Sequence, residues 1–123
     1  MNKLILLIDD DKRNVFALEL TLKARGYQVI SAAGAAEGLE LLRKHADIGT
    51  VLMDMMMPDM DGYQAIQEIK SLDGGERIPI IAVTAQAMPG DREKCIEAGA
   101  WDYVSKPIDI DRLVAIIEKH NNA

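Results

Sequence analysis

Five short apolar runs, each followed by an amphipathic stretch, predict an α/β fold: a five-stranded parallel sheet with helices on both faces. Three observations carry that expectation. Strand-like and helix-like patterns alternate along the whole chain. The connections between them are short, so successive strands should run parallel with right-handed crossovers. The length, 123 residues with 49% hydrophobic and 28% charged, suits one domain with one buried core. Residues 1–123 are therefore expected to be a single domain, with the last three residues as a frayed tail.

Leu4 to Ile8 is a continuous apolar run, the pattern of a strand buried on both faces. From Lys12 to Arg25, Val15, Leu18 and Leu22 recur at helical spacing, and Gly26 is the stop. Tyr27 to Ala32 is the second strand. Ala35 to His45 is helical, with Leu39 and Leu42 on one face. Thr50 to Met53 forms the third strand and leads into Asp54. Gly62 to Leu72 forms the third helix, with Ile66 and Ile69 turned inward. Asp73-Gly74-Gly75 has the chemistry of a turn. Ile78 to Val83 is the fourth strand, with Pro79 tolerated near its start. Pro89 suits the first turn of a helix that ends before Gly99. Trp101 to Val104 is a short fifth strand, and Asp109 or Asp111 caps a last helix through Ile116 and Ile117.

Ligands of such sheets bind beyond the carboxyl ends of the strands. The residues just past each run are therefore informative. Asp9, Asp10 and Asp11 come after the first, Asp54 after the third, Thr84 after the fourth and Lys106 after the fifth. The second run contributes nothing comparable, as expected of a strand at the sheet margin. Carboxylates crowded at one edge repel one another, by about 4 kcal/mol for two charges 4 Å apart at an effective dielectric of 20. A hard divalent cation relieves that repulsion. Oxygen-only ligands favour magnesium, manganese or calcium over zinc, and few protein ligands with an open side favour magnesium. Thr84 adds a hydroxyl and Lys106 a compact positive charge, so an anion beside a metal fits this edge. One acid of the triplet is enough to cap a helix, which is the ordinary use of such residues.

These residues resemble the receiver domain of two-component response regulators. The matching pieces are Ile8-Asp9-Asp10-Asp11, the segment from Met53-Asp54 through Asp61-Gly62, Val83-Thr84-Ala85, Ala98-Gly99-Ala100 and Tyr103-Val104-Ser105-Lys106-Pro107. They span essentially the whole chain in order. The resemblance implies a flavodoxin-like sheet of order 2-1-3-4-5. It implies that Asp54 is the phosphoacceptor, loaded by a histidine kinase or a histidine phosphotransfer protein. It further implies that Asp10 and Asp54 ligate magnesium directly, Asp9 acts mainly through water, and Met56 supplies its backbone carbonyl. Lys106 pairs with Asp54 and then with the phosphoryl oxygens, and the small Ala85 leaves access. Thr84 and Tyr103 form the switch, relaying the charge to the surface of the fourth helix, fifth strand and fifth helix, where a downstream protein docks. The resemblance also implies a cis Lys106-Pro107 bond. Met56 and Gln86 stand where side chains influence the water that hydrolyses the acyl phosphate. Met56 cannot orient water by hydrogen bonding, so slow dephosphorylation is expected.

Other readings fare less well. Asp59-Met60-Asp61-Gly62 resembles the aspartate motif of haloacid-dehalogenase-type phosphatases, but Pro58 separates it from the strand. A turn and a helix cap suit Asp59 and Asp61 better. No glycine-rich phosphate loop comes after the first strand, against a nucleotide site. A docking-only receiver is the remaining alternative. The stretch from Ala85 to Glu93 also resembles receivers of hybrid histidine kinases, so a stand-alone protein and a receiver of that type are both open.

A net charge of −6 without a basic run disfavours direct binding to nucleic acid or anionic lipid. No apolar run is long enough to insert in a membrane. The first run ends at three aspartates, which no signal-peptide core tolerates, so a cytoplasmic location is expected. Cys95 is the only cysteine, leaving no internal disulfide and no cysteine-cluster metal site, and its apolar position suits an inert buried thiol. The methionines between Met53 and Met60 suit packing. His45 and His120 are placed for helix-end capping, and Trp101 for packing.

Overall fold

The computed structural model describes residues 4–57, 61–85 and 90–121. Five strands and five helices alternate: β1 (Leu4–Ile8), α1 (Lys12–Ala24), β2 (Gln28–Ala32), α2 (Ala35–Lys44), β3 (Ile48–Asp54), α3 (Gly62–Lys70), β4 (Ile80–Thr84), α4 (Asp91–Ala98), β5 (Asp102–Ser105) and α5 (Ile110–Asn121). All strand pairs are parallel, and the sheet order is β2-β1-β3-β4-β5. The fold is the one the alternation predicts, with β2 at the margin.

Burial follows the sequence pattern. Every residue of β1 is buried, as the unbroken apolar run requires of a central strand. The marginal β2 is buried only at Val29 and Ala32. On one face of the sheet, Leu42 of α2, Ala65, Ile66 and Ile69 of α3 and Cys95 of α4 pack on Leu6, Ile8, Val51, Met53 and Ala82. On the other, Leu22 of α1 and Leu113 and Ile117 of α5 pack on Ile5, Leu7, Leu52, Ile81 and Val83. The alternation of these strand residues between two cores is the period-two pleat. It puts Leu52 and Asp54 on one face and Met53 on the other.

Several boundaries differ from the sequence expectation. β3 begins at Ile48 rather than Thr50, because Leu4 pairs with Ile48 across the sheet. Trp101 precedes β5, although its N–H still donates to the Ile80 carbonyl at 2.8 Å. α3 stops at Lys70, and a three-residue 3₁₀ turn at Gly75–Arg77 precedes Pro79 and β4. α4 is capped by Gly90 at φ 89°, and Pro89 lies outside the described residues. Asp109, not Asp111, caps α5, accepting the N–H groups of Asp111 and Arg112 at 3.0 and 3.4 Å. His120 is not a surface cap. Its Nε2 lies 3.2 Å from Asp102 Oδ2, and its ring meets Trp101 edge-on at 5.5 Å. His45 is the C-cap of α2, its N–H donating to Leu41. The expected frayed tail, 121–123, lies at the end of the description: Asn121 closes α5, and the last two residues are outside it. Among the described residues no helix is long and apolar enough to cross a membrane.

Candidate functional site at the carboxyl edge

Register places the site. Ile8 pairs with Met53, so Asp9 and Asp54 emerge side by side from adjacent central strands. Asp54 pairs with Val83 and Thr84 with Ser105, so Thr84 and then Lys106 follow at the same edge, one step further along. Asp9, Asp54 and Thr84 are the buried polar side chains here, each under 10% exposed. Lys106 is fixed by its own backbone, its N–H donating to the Thr84 carbonyl at 2.7 Å. The Lys106-Pro107 bond is cis.

The three consecutive aspartates divide their work. Asp11 caps α1, its carboxylate accepting the N–H groups of Arg13 and Asn14. Asp9 turns inward and accepts the Asp11 N–H at 2.8 Å. Asp10 stays exposed. Carboxylate oxygens of Asp9, Asp10 and Asp54 all lie within 4.8 Å of one another. Burial, chiefly, pushes the Asp9 carboxyl above its ordinary range. The adjacent Asp54 adds to that push, and the Asp11 N–H and the Lys106 ammonium oppose it. Three oxygen donors in this space fit a hard divalent cation, and the exposure of Asp10 leaves the site open on one side.

Asp54 is held from two directions. Its Oδ1 accepts the Met56 N–H at 2.9 Å, and its Oδ2 lies 3.4 Å from Lys106 Nζ. The loop after β3 is pinned by the Met55 N–H on the Val83 carbonyl and by the buried Met57. A β-carbon on Gly62 would lie 2.6 Å from Met55 Cε, so the start of α3 sits directly on this loop. The resemblance puts Gly62 in one motif with Asp54, but the close approach to Met55 that calls for a glycine shows only in the structure. The methionines are not one class: Met53 and Met57 are core, whereas Met56 is 54% exposed. Met60 lies outside the described residues, as do Asp59 and Gln86.

Tyr103 is half-buried and packs on the core shared by α2, α3 and α4. Pleating puts it beside Ala82, the residue it pairs with, and on the same face as Thr84. Asp61 is not part of the acidic cluster. Its carboxylate caps α3 through the N–H groups of Tyr63 and Gln64, which disposes of the phosphatase-motif reading for that residue. Cys95 is fully buried, and burial pushes its thiol up.

The site is thus an open parallel sheet with acids at the ends of its central strands and a lysine just past β5. The family model of the response regulator receiver domain matches residues 5–118, and the chain belongs to that family. It is 33% identical over 120 residues to the polar-differentiation response regulator DivK of Brucella anthropi, covering 98% of this chain and 97% of that protein. Among solved structures, the receiver domain of a sensor histidine kinase from Pseudomonas aeruginosa PAO1 superposes with a TM-score of 0.88 at 35% identity, over the full length of both chains. That protein was crystallised with magnesium coordinated in its active-site cleft. A CheY-like receiver domain protein from Methanospirillum hungatei gives 0.87 at 29% identity, covering 99% of this chain and 95% of that one. The likenesses thus include both a response regulator and a receiver of a histidine kinase.

Proposed function

We propose that the chain is one receiver domain that accepts a phosphoryl group on Asp54 from a phosphohistidine of a histidine kinase or histidine phosphotransfer protein. The observation that carries this reading is Asp54 itself: a buried carboxylate 3.4 Å from a lysine and within 4.8 Å of two further acids. A carboxylate oxygen attacks phosphorus, the O–P bond forms as the P–N bond breaks, and the electron pair leaves with the imidazole nitrogen. Such transfers need positioning and neutralisation of spread negative charge more than covalent help. Lys106 supplies a fixed cation to the phosphoryl oxygens. The Met56 N–H orients Asp54. Asp9, Asp10, Asp54 and the Met56 carbonyl would hold magnesium, with manganese as a substitute. When bound, the metal offsets the acids' repulsion and polarises phosphoryl oxygens.

Thr84 is the residue for the new charge to draw in, and Tyr103, on the same face of the sheet, is the residue to respond. The surface of α4, β5 and α5 is then the part whose shape reports phosphorylation to a protein target. The chain is a phosphoacceptor with self-catalysed transfer and hydrolysis rather than an enzyme acting on a free substrate. Its acidic charge and the absence of a membrane-crossing helix among the described residues fit a protein partner in the cytoplasm.

Intact mass after incubation with acetyl phosphate and magnesium tests this. One added phosphoryl group is expected, absent with Asp54→Asn or with a chelator. If neither acetyl phosphate nor a phosphohistidine protein loads the chain, and beryllofluoride does not bind, Asp54 is not the acceptor and docking without phosphorylation replaces this function.

A further inference from the structure

The opposite edge of the sheet holds a cleft of about 900 Å³. That is within the range of small-molecule sites, roughly 300–1,000 Å³. Ile48, Leu72, Ile78, Pro79 and Trp101 give it apolar walls. Ile48 and Pro79 are buried, and Trp101 is half-buried. Arg43, His45, Arg77 and His120 line the same cleft, against a single carboxylate, Asp73, among the described residues. In a chain whose net charge is −6 with histidines neutral, a lining of two arginines against one aspartate runs against the average.

Part of it belongs to helix ends. α2, α3 and α5 all finish at this edge, and Arg43, Lys44, Lys70 and Lys119 stand in their last turns. Cations there offset the carbonyl ends of the helices. His120 is already engaged with Asp102, and His45 Nδ1 lies 4.0 Å from Asp47. Arg77 is different. It sits in the 3₁₀ turn, outside any α-helix, and is exposed. Neither Arg77 nor Arg43 has a side-chain hydrogen-bond or ion-pair partner among the described residues. Two guanidinium groups from separate elements therefore share the cleft with an aromatic ring and an apolar wall.

We propose that this cleft is a second binding site, for a small organic anion with a flat apolar body. The carboxylate or phosphate head is taken by the planar donors of Arg43 and Arg77, and the body lies along Trp101 and Ile78. The site is independent of the chemistry at Asp54.

Trp101 is the only tryptophan, so its fluorescence reports the cleft directly. The test is a titration of the whole chain, in chelator, with adenosine 5′-monophosphate and with benzoate. Adenosine and inorganic phosphate serve as the body and the head alone. At least one of the two anions is expected to give a saturable change, at least tenfold tighter than either half. Arg77→Ala should weaken it at least tenfold, and Lys44→Ala, outside the cleft lining, should leave it unchanged. The tighter anion tells phosphate ester from aromatic carboxylate. No saturable change with either, equal binding of phosphate alone, or an unaffected Arg77→Ala variant overturns the proposal. So do amide shifts in NMR that cluster at Asp54 and Thr84 instead of Ile48 and Ile78.

Discussion

Met56 gives Asp54 a backbone N–H and turns a thioether, 54% exposed, toward solvent. The amide is available from any residue but proline, whereas the side chain is specific. A thioether is only a weak acceptor and leaves an attacking water unoriented. Replacing it with an amide should shorten the life of the acyl phosphate. Met56→Asn is expected to speed loss of the phosphoryl group several-fold, followed by intact mass after the donor is removed. Unchanged decay would count against a tuning role. A second residue acts far from the site. Tyr27 is buried and its hydroxyl hydrogen-bonds Glu118 of α5. Burial first, then the Glu118 carboxylate, push the phenol up to about 12. The folded chain then holds this proton where the unfolded chain, with a phenol near 10, has lost it. The stability from this pair is complete below about pH 10 and is lost as pH rises through about 12. Thermal melts between those pH values should fall more steeply for the native chain than for Tyr27→Phe. The aspartates and Lys106 could be found from sequence because each comes just after a strand run. Tyr27 and Glu118, 91 positions apart, carry no local signal of their meeting.

At the scale of elements, β1 and β4 were legible because their apolar runs are continuous, and α1, α2, α3 and α5 because their apolar residues recur on one face; α4, mostly charged, was legible only from the proline and glycine that bound it. The start of β3 was not. Gly49 breaks the β-branched pattern, and only pairing with β1 extends the strand back to Ile48. The 3₁₀ turn was hidden for another reason: three residues are too few for any period. It is held by hydrogen bonds from Gly75 to Leu72 and from Arg77 to Gly74. Its tightness has a measurable consequence. A β-carbon at Gly75 would lie 1.9 Å from the Ile69 carbonyl oxygen, at the end of α3. Since that atom is backbone, the helix end and the turn must move apart. Gly75→Ala should cost ~1–3 kcal/mol, the usual range for overpacking. A lower denaturation midpoint with an unchanged slope would show it, and a midpoint within error of the native chain would refute the contact.

Across the whole molecule, the acids are concentrated at one end of the sheet and the basic cleft at the other. Three carboxylates within 4.8 Å are a local cost that a divalent cation relieves. A cation that binds only the folded chain raises stability by about 1.4 kcal/mol at ten times its Kd. Magnesium should therefore raise the melting temperature. Asp10→Asn should melt at or above the native chain in chelator and gain less than half as much from magnesium. An equal gain in both would remove Asp10 from the proposed magnesium ligands. The strand order adds a further consequence. β1 lies between β2 and β3, and past Asp54 the chain extends the sheet in one direction only. The acids belong to the first half of the chain, and Thr84 and Lys106 to the second. In order of synthesis, the negative centre is thus complete 52 residues before the cation that answers it. An emerging chain is in that interval an acid cluster without its counter-charge, and β5, the last strand laid down, closes the circuit.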